Sequence, residues 1–138
     1  MANQKTDFLV IGGGIIGITI ALELKKRFSD FAVTVLEKEQ APGRHASGRN
    51  SGVLHAGFYY AADSLKARLT RDGNRELKEY CLRHAIPVNQ CGKLVVAKNE
   101  AELVGLDTLF QRGHANGVEV EMISAAEART IEPRVKTF

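Results

Sequence analysis

FLVIGGGIIG, which occupies residues 8–17, joins a four-residue apolar run to three glycines spaced G-x-G-x-x-G. An apolar run of this length that stops at glycines is typical of a buried parallel strand. Residues 15–28 then carry apolar side chains at helical spacing and basic residues in their last turns, which favours an amphipathic helix. Residues 32–36 predict a second strand that ends at Glu37. This order of elements predicts a Rossmann-type unit.

The three glycines of the motif have separate roles in such a unit. Gly12 allows a tight turn, Gly14 leaves room for a diphosphate to approach the backbone, and Gly17 lets the helix pack closely on the strand. The start of the helix presents free N–H groups and the positive end of its dipole to the phosphates. Since Gly13 and Gly14 have no side chains that could cap these N–H groups, we expect no internal competitor for an anion.

Glu37 follows the second predicted strand, twenty residues after Gly17. A carboxylate at this position can accept hydrogen bonds from both hydroxyls of an adenosine ribose, and it repels a 2'-phosphate. FAD or NAD is therefore favoured over NADP. A glycine turn that merely connects a strand to a helix is the alternative, and the complete context of strand, helix, second strand and acid argues against it.

Composition and charge exclude several classes of protein. The chain has 44% hydrophobic and 25% charged residues, and its net charge of +3 comes from basic residues that alternate with acids. This alternation indicates a solvated surface, so we expect no nucleic-acid partner. Cys81 and Cys91 lack histidines at metal-site spacing, which predicts no metal site, no disulfide framework and two reduced core thiols.

No apolar stretch resembles a signal-peptide core or is long enough to span a membrane. We therefore expect a cytoplasmic location, with a peripheral contact to the inner membrane left open.

A length of 138 residues suits one domain with a core, but it is short for an enzyme that encloses both a dinucleotide and a substrate.

Residues beyond 57 alternate between predicted helices and strands. Ser64 is an expected N-cap for a helix that extends to His84, with Leu65, Leu69, Leu77, Tyr80 and Cys81 on its apolar face. Residues 93–98 and 118–123 predict strands, and a helix capped by Asn99 lies between them. Ser124 is expected to cap a short last helix that Pro133 stops.

Residues 41–57 form a polar segment, rich in Gly, Ser, Asn, Arg and His, with little periodicity. Loops this long inside compact domains usually serve a function. Hydroxyl and amide side chains between glycines offer donors to a phosphate without bulk, and Arg44 or Arg49 can neutralise its charge. A solvated surface loop is the alternative interpretation.

Several motifs along the chain resemble those of one family of flavoproteins. They are residues 12–17, Glu37, SGRNSGV at 47–53, HAGFYY at 55–60, SLKA at 64–67, GNR at 73–75, CGKLVVA at 91–97 and IEP at 131–133. Together they resemble the FAD-dependent oxidoreductases of the D-amino-acid-oxidase type, and most of all the branch of L-2-hydroxyglutarate oxidases and dehydrogenases. The resemblance covers nearly the whole chain.

The resemblance implies non-covalent FAD, with residues 47–51 along the pyrophosphate and ribityl region and residues 52–57 near the isoalloxazine. The residues predicted to bind FAD are Gly12, Gly14, Ile15, Ile16, Gly17, Glu37, Lys38, Arg44, Ser47, Gly48, Arg49, Asn50, Ser51 and Gly52. It also implies that an L-2-hydroxy acid, above all L-2-hydroxyglutarate, gives hydride to the flavin and becomes the 2-oxo acid. Oxygen or a quinone would then reoxidise the cofactor.

The fold class predicted is α/β. We expect a Rossmann-type FAD-binding domain, a parallel sheet with flanking helices, in residues 1–87 and the start of a substrate-covering domain in residues 88–138. The family pattern continues beyond the length of this chain, so we expect either a truncation or a separate chain that supplies the C-terminal part.

His55 is the candidate catalytic residue, because a histidine beside a flavin can accept the proton of the substrate hydroxyl while hydride leaves the adjacent carbon. The alternative is a histidine that hydrogen-bonds the backbone or the flavin ring and never titrates. His55, Tyr59 and Tyr60 are also candidates for substrate contact, with aromatic packing as the alternative. Lys93, Arg68 and Arg71 could serve an anionic substrate, although surface solvation is the interpretation we favour for each.

Two other functions stay open at this point. An amine or amino-acid oxidase of the same superfamily would carry the same nucleotide motif. A non-catalytic fragment would keep the glycine turn without turning over any substrate.

Overall fold

The computed structural model describes residues 5–138. It contains two compact units, of which the first ends at Val53 and the second comprises Leu54–Phe138. The first unit holds β1 (Phe8–Ile11), α1 (Ile15–Arg27) and β2 (Val33–Leu36), and the second holds α2 (Leu65–Arg83), α3 (Leu103–Ala115) and α4 (Ala125–Ile131). Single-turn 3-10 helices lie at Ala46–Gly48 and Glu100–Glu102. The predicted domain boundary near residue 88 stays a prediction.

In the first unit, β1 and β2 form a two-stranded parallel sheet, with Phe8 opposite Val33 and Ile11 opposite Leu36. Parallel neighbours need a crossover connection, and α1 provides it while packing on both strands. Near the C-terminal end of α1, three aromatic rings pack together with centroids 5.3 to 5.8 Å apart; they belong to Phe8, Phe28 and Phe31. The predicted order of strand, glycine turn, helix and parallel strand is confirmed.

Two glycines allow the tight turn from β1 into α1. Gly12 has a φ of +108°, a backbone conformation that L side chains rarely adopt. A Cβ on Gly17 would lie far inside van der Waals contact with the carbonyl oxygen of Gly12. The helix therefore packs directly on the turn, as expected from the motif.

In the second unit, the predicted caps begin the helices. Ser64 accepts a hydrogen bond from the N–H of Ala67, and Asn99 accepts one from the N–H of Glu102. Ser124 and Glu127 form a capping box at the start of α4. Helix α2 continues through Gly73 without a break. These local signals are confirmed because each depends only on residues within one turn of the helix end.

The two strands predicted at residues 93–98 and 118–123 are wrong: within residues 5–138 these segments pair with no strand. The carbonyl of Ala97 instead accepts from the N–H of Phe138 at 2.8 Å and from the hydroxyl of Thr137 at 3.1 Å. Val120 packs on Gly113 of α3. Periodicity reports which side chains are apolar, whereas a strand also needs a neighbour to complete its ladder of hydrogen bonds.

The apolar face predicted for α2 is mostly uncovered. Leu65 and Leu69 are 60% and 61% exposed, whereas Ala67 and Cys81 are buried. Cys91 is exposed, so the prediction of two core thiols holds for Cys81 alone. An apolar helix face is buried only where another element covers it, and within residues 54–138 Cys81 is the one member of this face that is buried. None of the helices within residues 5–138 combines the length and apolar character needed to cross a membrane.

Candidate dinucleotide-binding site

The glycine turn lies directly at the end of β1. The N–H of Gly12 donates to the carbonyl of Leu36 at 2.7 Å, which extends the ladder between β1 and β2 by one bond. Gly14 is the N-cap of α1 and offers no side chain of its own to the first N–H groups of the helix. The parallel sheet thus delivers the helix N-terminus to the same edge at which Glu37 follows β2.

Glu37 is held by two backbone N–H groups. Its Oε1 accepts from the N–H of Glu39 at 3.0 Å, and its Oε2 accepts from the N–H of Gly13 at 2.7 Å. These bonds, that of Glu39 first, stabilise the carboxylate and lower the pKa of Glu37 below its ordinary value. Glu37 is therefore an oriented anion beside the turn, with lone pairs left to accept further hydrogen bonds.

Ser47 reaches the start of α1 from the loop. Its hydroxyl oxygen accepts from the N–H of Ile15 at 2.9 Å, and a Cβ on Gly14 would approach that oxygen to 3.1 Å. The expectation that the turn has no internal competitor for an anion is therefore wrong for the N–H groups of Gly13 and Ile15. The competitors come from distant segments, which the composition of the turn itself does not reveal.

Three N–H groups of the turn keep no protein acceptor within the described residues, and they belong to Gly14, Ile16 and Gly17. They lie at the positive end of the α1 dipole. An anion can therefore still bind at this helix end.

The loop that carries Ser47 is fixed against the turn and within itself. The N–H of Gly43 donates to the carbonyl of Gly13 at 3.0 Å. The side-chain amide of Asn50 donates to the carbonyls of Ala46 and Ser47 at 3.1 and 2.9 Å, and its oxygen accepts from the N–H of Gly52 at 2.8 Å. Asn50 thereby holds the single-turn helix that presents Ser47.

Two open grooves border the turn. One of about 370 Å³ joins the helix start to the loop and is lined by Gly13, Ile15, Ile18, Pro42, Gly43, Ser47 and Asn50. The other, of about 320 Å³, is lined by Glu39, Gln40, Arg44, His45 and Arg49. In this second groove His45 is hydrogen-bonded to Glu39 at 2.8 Å. The structure thus brings together predicted residues that are more than thirty positions apart in the sequence.

Sequence reasoning missed Ile18, Pro42 and Gly43 as lining residues of the first groove. Pro42 and Gly43 lie in the segment that its polarity marked as functional, whereas Ile18 lies inside α1, beyond the glycine motif to which the predicted contacts of this helix were confined. Gly48, a predicted residue, is required where it stands because a Cβ there would collide with the carbonyl of Gly43.

Some predicted residues do not line either groove. Ile16 is 74% exposed at the start of α1, Lys38 lies 3.8 Å from the carboxylate of Glu39, and the hydroxyl of Ser51 faces the N–H of Val53 at 3.4 Å. Gly52 has a φ of +67° in the loop. Their contact with FAD stays a prediction.

The residues predicted to contact substrate lie in the second unit. His55 is exposed, and its carbonyl accepts from the side-chain amide of Asn74 at 3.2 Å. Tyr59 stacks on Phe58 with ring centroids 4.2 Å apart, and the ring of Tyr60 lies 4.4 Å from the ammonium of Lys66. The catalytic role of His55 and the substrate roles of Tyr59 and Tyr60 stay predictions.

Asn116 supports this region, and the sequence analysis missed it. Only 4% of Asn116 is exposed, and its side-chain amide donates to the carbonyls of Gly57 and Tyr60 at 3.2 and 3.0 Å. Asn116 precedes Gly117, which has a φ of +65°, and from sequence an Asn-Gly pair after a helix indicates only a helix end. A buried role for an Asn-Gly pair depends on contacts across 59 residues, which no local signal contains.

The donors around the glycine turn fit an adenosine diphosphate. Free N–H groups at a helix start and a hydroxyl suit a diphosphate, and an ionised carboxylate at the end of the second strand suits ribose hydroxyls. The fold and the site together define a Rossmann-type dinucleotide-binding unit of the α/β class.

The comparison with known proteins assigns this unit to a family. Residues 7–138 match the model of the family described as FAD dependent oxidoreductase, abbreviated DAO. The chain therefore belongs to the DAO family of FAD-dependent oxidoreductases, and FAD is confirmed as the predicted cofactor.

The chain is similar to enzymes named L-2-hydroxyglutarate dehydrogenase. It is 46% identical to the one from Salmonella houtenae and 44% identical to the one from Escherichia coli strain K12, in each case over 94% of this chain and 31% of the relative. It is 41% identical to the human mitochondrial enzyme over 96% of this chain and 29% of the relative. The chain thus spans about a third of the length of these relatives, and the resemblance to this branch is confirmed.

Proposed function

We propose that this chain is the FAD-binding N-terminal part of an oxidoreductase that oxidises an L-2-hydroxy acid, above all L-2-hydroxyglutarate, to the 2-oxo acid. One observation carries the proposal. The groove beside the glycine turn gathers the start of α1, Ser47 and Asn50 in one place, next to the oriented carboxylate of Glu37. The names of the similar enzymes support the substrate class.

Each part of the site has a distinct task in holding the cofactor. The N–H groups of Gly14, Ile16 and Gly17 and the hydroxyl of Ser47 would donate to the diphosphate. Glu37 would accept hydrogen bonds from the ribose hydroxyls. The guanidinium groups of Arg44 and Arg49, which line the neighbouring groove, would balance the phosphate charge.

Bound FAD supplies the hydride acceptor for the reacting carbon. His55, in our proposal, accepts the hydroxyl proton of the substrate at a ring nitrogen. Its ring is exposed, and the two hydrogen bonds from Asn74 to the backbone of Leu54 and His55 fix the chain on which it sits. Oxygen or a quinone is the proposed final acceptor, and a cytoplasmic location belongs to the same proposal.

A titration of the purified chain with FAD tests the cofactor site. We expect Gly14→Val to abolish binding, because its side chain would fill the space next to Ser47 where the diphosphate approaches. Glu37→Gln should weaken binding about tenfold by removing a charged acceptor. Glu23→Gln, an exposed carboxylate on α1 that pairs with Lys26, is the matched control and should bind as the unchanged chain does.

Anaerobic bleaching of the flavin tests the reaction. The FAD-loaded chain is mixed with L-2-hydroxyglutarate, glycine, sarcosine or D-alanine, both alone and together with the C-terminal part of a relative. Bleaching by L-2-hydroxyglutarate only is the expected result. Bleaching by the amino acids would instead identify an amine or amino-acid oxidase, and no bleaching by any of them would leave a non-catalytic FAD-binding fragment.

A further inference from the structure

Two lysines lie on the aromatic rings of one short segment. The ammonium of Lys93 is 4.7 Å from the ring centroid of Tyr59 and 5.9 Å from that of Phe58. The ammonium of Lys66 is 4.4 Å from the ring centroid of Tyr60. Both distances to the tyrosines are within the range of an attractive cation–π contact. Phe58, Tyr59, Tyr60, Lys66 and Lys93 are called the lysine–aromatic cluster below.

The backbone beneath the cluster is fixed from two sides. Arg112 donates from Nη1 to the carbonyl of Tyr59 at 3.3 Å, and Asn116 donates to the carbonyl of Tyr60 at 3.0 Å. Gly57, which has a φ of +96°, lies so close to α2 that its Cβ would approach the carbonyl oxygen of Ala67 to 3.2 Å. The rings are therefore presented by a held turn, which lowers the entropy lost when a ligand orders them.

The two ammonium groups have no counter-charge within the described residues. Among residues 5–138, no carboxylate lies within 4.0 Å of Lys66 or Lys93, whereas Lys26 pairs with Glu23 and Arg71 pairs with Asp72. An ammonium over a ring keeps N–H donors that point away from the ring. The cluster thus offers positively charged donors beside one exposed aromatic ring, that of Tyr59, and two half-buried rings, those of Phe58 and Tyr60.

We infer that the lysine–aromatic cluster binds a short aliphatic dicarboxylate, with Lys93 as the residue that selects for a carboxylate. An ammonium suits the carboxylate, and ring faces suit the methylene groups that follow it in such a molecule. This inference deepens the proposed function and rests on it for the substrate, since 2-hydroxyglutarate is a five-carbon dicarboxylate. Tyr59 and Tyr60 are then binding residues, and Lys93 joins them.

Tyrosine fluorescence can test the inference directly. The chain has no tryptophan and three tyrosines, two of which belong to the cluster. The chain is titrated with glutarate, with butyrate and with inorganic phosphate, and circular dichroism checks that each variant is folded. We expect glutarate to bind more tightly than either of the other anions.

Three variants test whether binding depends on a positive charge at position 93 in particular. Lys93→Gln should weaken glutarate binding about three- to fivefold, the size expected for an exposed ion pair, and Lys93→Arg should restore most of it. Lys98→Gln removes a lysine from the same segment that makes no cation–π contact with any described residue, so it is the matched control and should change nothing. Added salt should weaken binding to the unchanged chain and have less effect on Lys93→Gln.

Three results would overturn the inference. They are equal binding of phosphate and glutarate, which would show a general anion site; equal binding of butyrate and glutarate; and equal losses in Lys93→Gln and Lys98→Gln. None of them affects FAD binding, so they leave the proposed function standing. A chain that binds glutarate through Lys93 but does not bind FAD would support the inference and contradict the proposed function.

Discussion

For Glu37, the sequence predicted the position of the residue but not the hydrogen bonds of its carboxylate. Its position followed from the distance to the glycine motif and from the end of an apolar run. That its carboxylate binds the N–H groups of Glu39 and Gly13 could not be predicted, because this depends on how the residue's own backbone and the turn meet in space. Ser47 is a similar case: the sequence marked it as a phosphate ligand, and the structure shows that it already caps Ile15.

The lowered pKa of Glu37 predicts a pH dependence of stability. A carboxyl whose pKa is lower in the folded chain than in the unfolded chain stabilises the fold at pH values above its unfolded pKa, and this contribution is lost as the pH falls through the folded pKa. We therefore expect the melting temperature of Glu37→Gln to lie below that of the unchanged chain at neutral pH. The two should converge in acid, as measured by calorimetry across the acidic range. A constant difference at every pH would contradict the assignment.

Asn116 gives a second prediction at this scale. Asn116→Ala should lower the free energy of unfolding by about 2 kcal/mol, because it removes the side-chain donor of the half-buried Tyr60 carbonyl and one of the two donors of the Gly57 carbonyl. Asn74→Ala also removes an amide that donates to two carbonyls, but its two hydrogen bonds are exposed to solvent, so it should cost much less. Urea denaturation of both variants measures the difference, and similar losses would argue against a special role for Asn116.

Single elements were predictable where their signals are local. The caps at Ser64, Asn99 and Ser124 and the glycine turn before α1 depend on residues a few positions apart, and each was confirmed. The strands expected at residues 93–98 and 118–123 were wrong, because pairing requires a partner that a local pattern does not specify. The candidate site falls between these cases: its residues were predicted, and their mutual hydrogen bonds were not.

Two glycines inside helices make a matched pair for a test of packing. Gly17→Ala should destabilise the fold by about 3 kcal/mol, since its Cβ would collide with the carbonyl of Gly12. Gly73→Ala meets no atom within 4 Å, so it should stabilise α2 by about 0.5 to 1 kcal/mol through its helix propensity. Unfolding in urea distinguishes the two. The packing of α1 on its turn would have to be revised if both substitutions were stabilising.

At the scale of the whole molecule, the chain consists of two compact units with large apolar side chains left exposed on both. Ile11 and Ile16 of the first unit and Leu69 of the second are more than half exposed. The chain also spans about a third of the length of the similar dehydrogenases. The sequence predicted the class of the first unit from its motifs, but it could not show which apolar faces stay uncovered, because burial depends on the neighbours available.

FAD should protect the first unit from proteolysis. Arg44 and Arg49 are exposed in the loop, and we expect trypsin to cut there readily in the free chain and several-fold more slowly with FAD bound, because the ligand orders its binding loop. Arg134, which is far from this loop in sequence and also exposed, provides the internal control. Mass spectrometry of the fragments gives the rates. Equal protection at all three arginines would indicate a general effect on stability instead of binding at the loop.

The bond from Ile15 to Ser47 also changes what an affinity at this site means. The N–H of Ile15 already has a neutral hydroxyl as its acceptor before any ligand arrives, so a phosphate that binds this group exchanges one acceptor for another. The neighbouring N–H groups of Gly14, Ile16 and Gly17 gain an acceptor instead. A measured dissociation constant therefore reports three new bonds together with one exchange, and the exchanged bond contributes less than the other three.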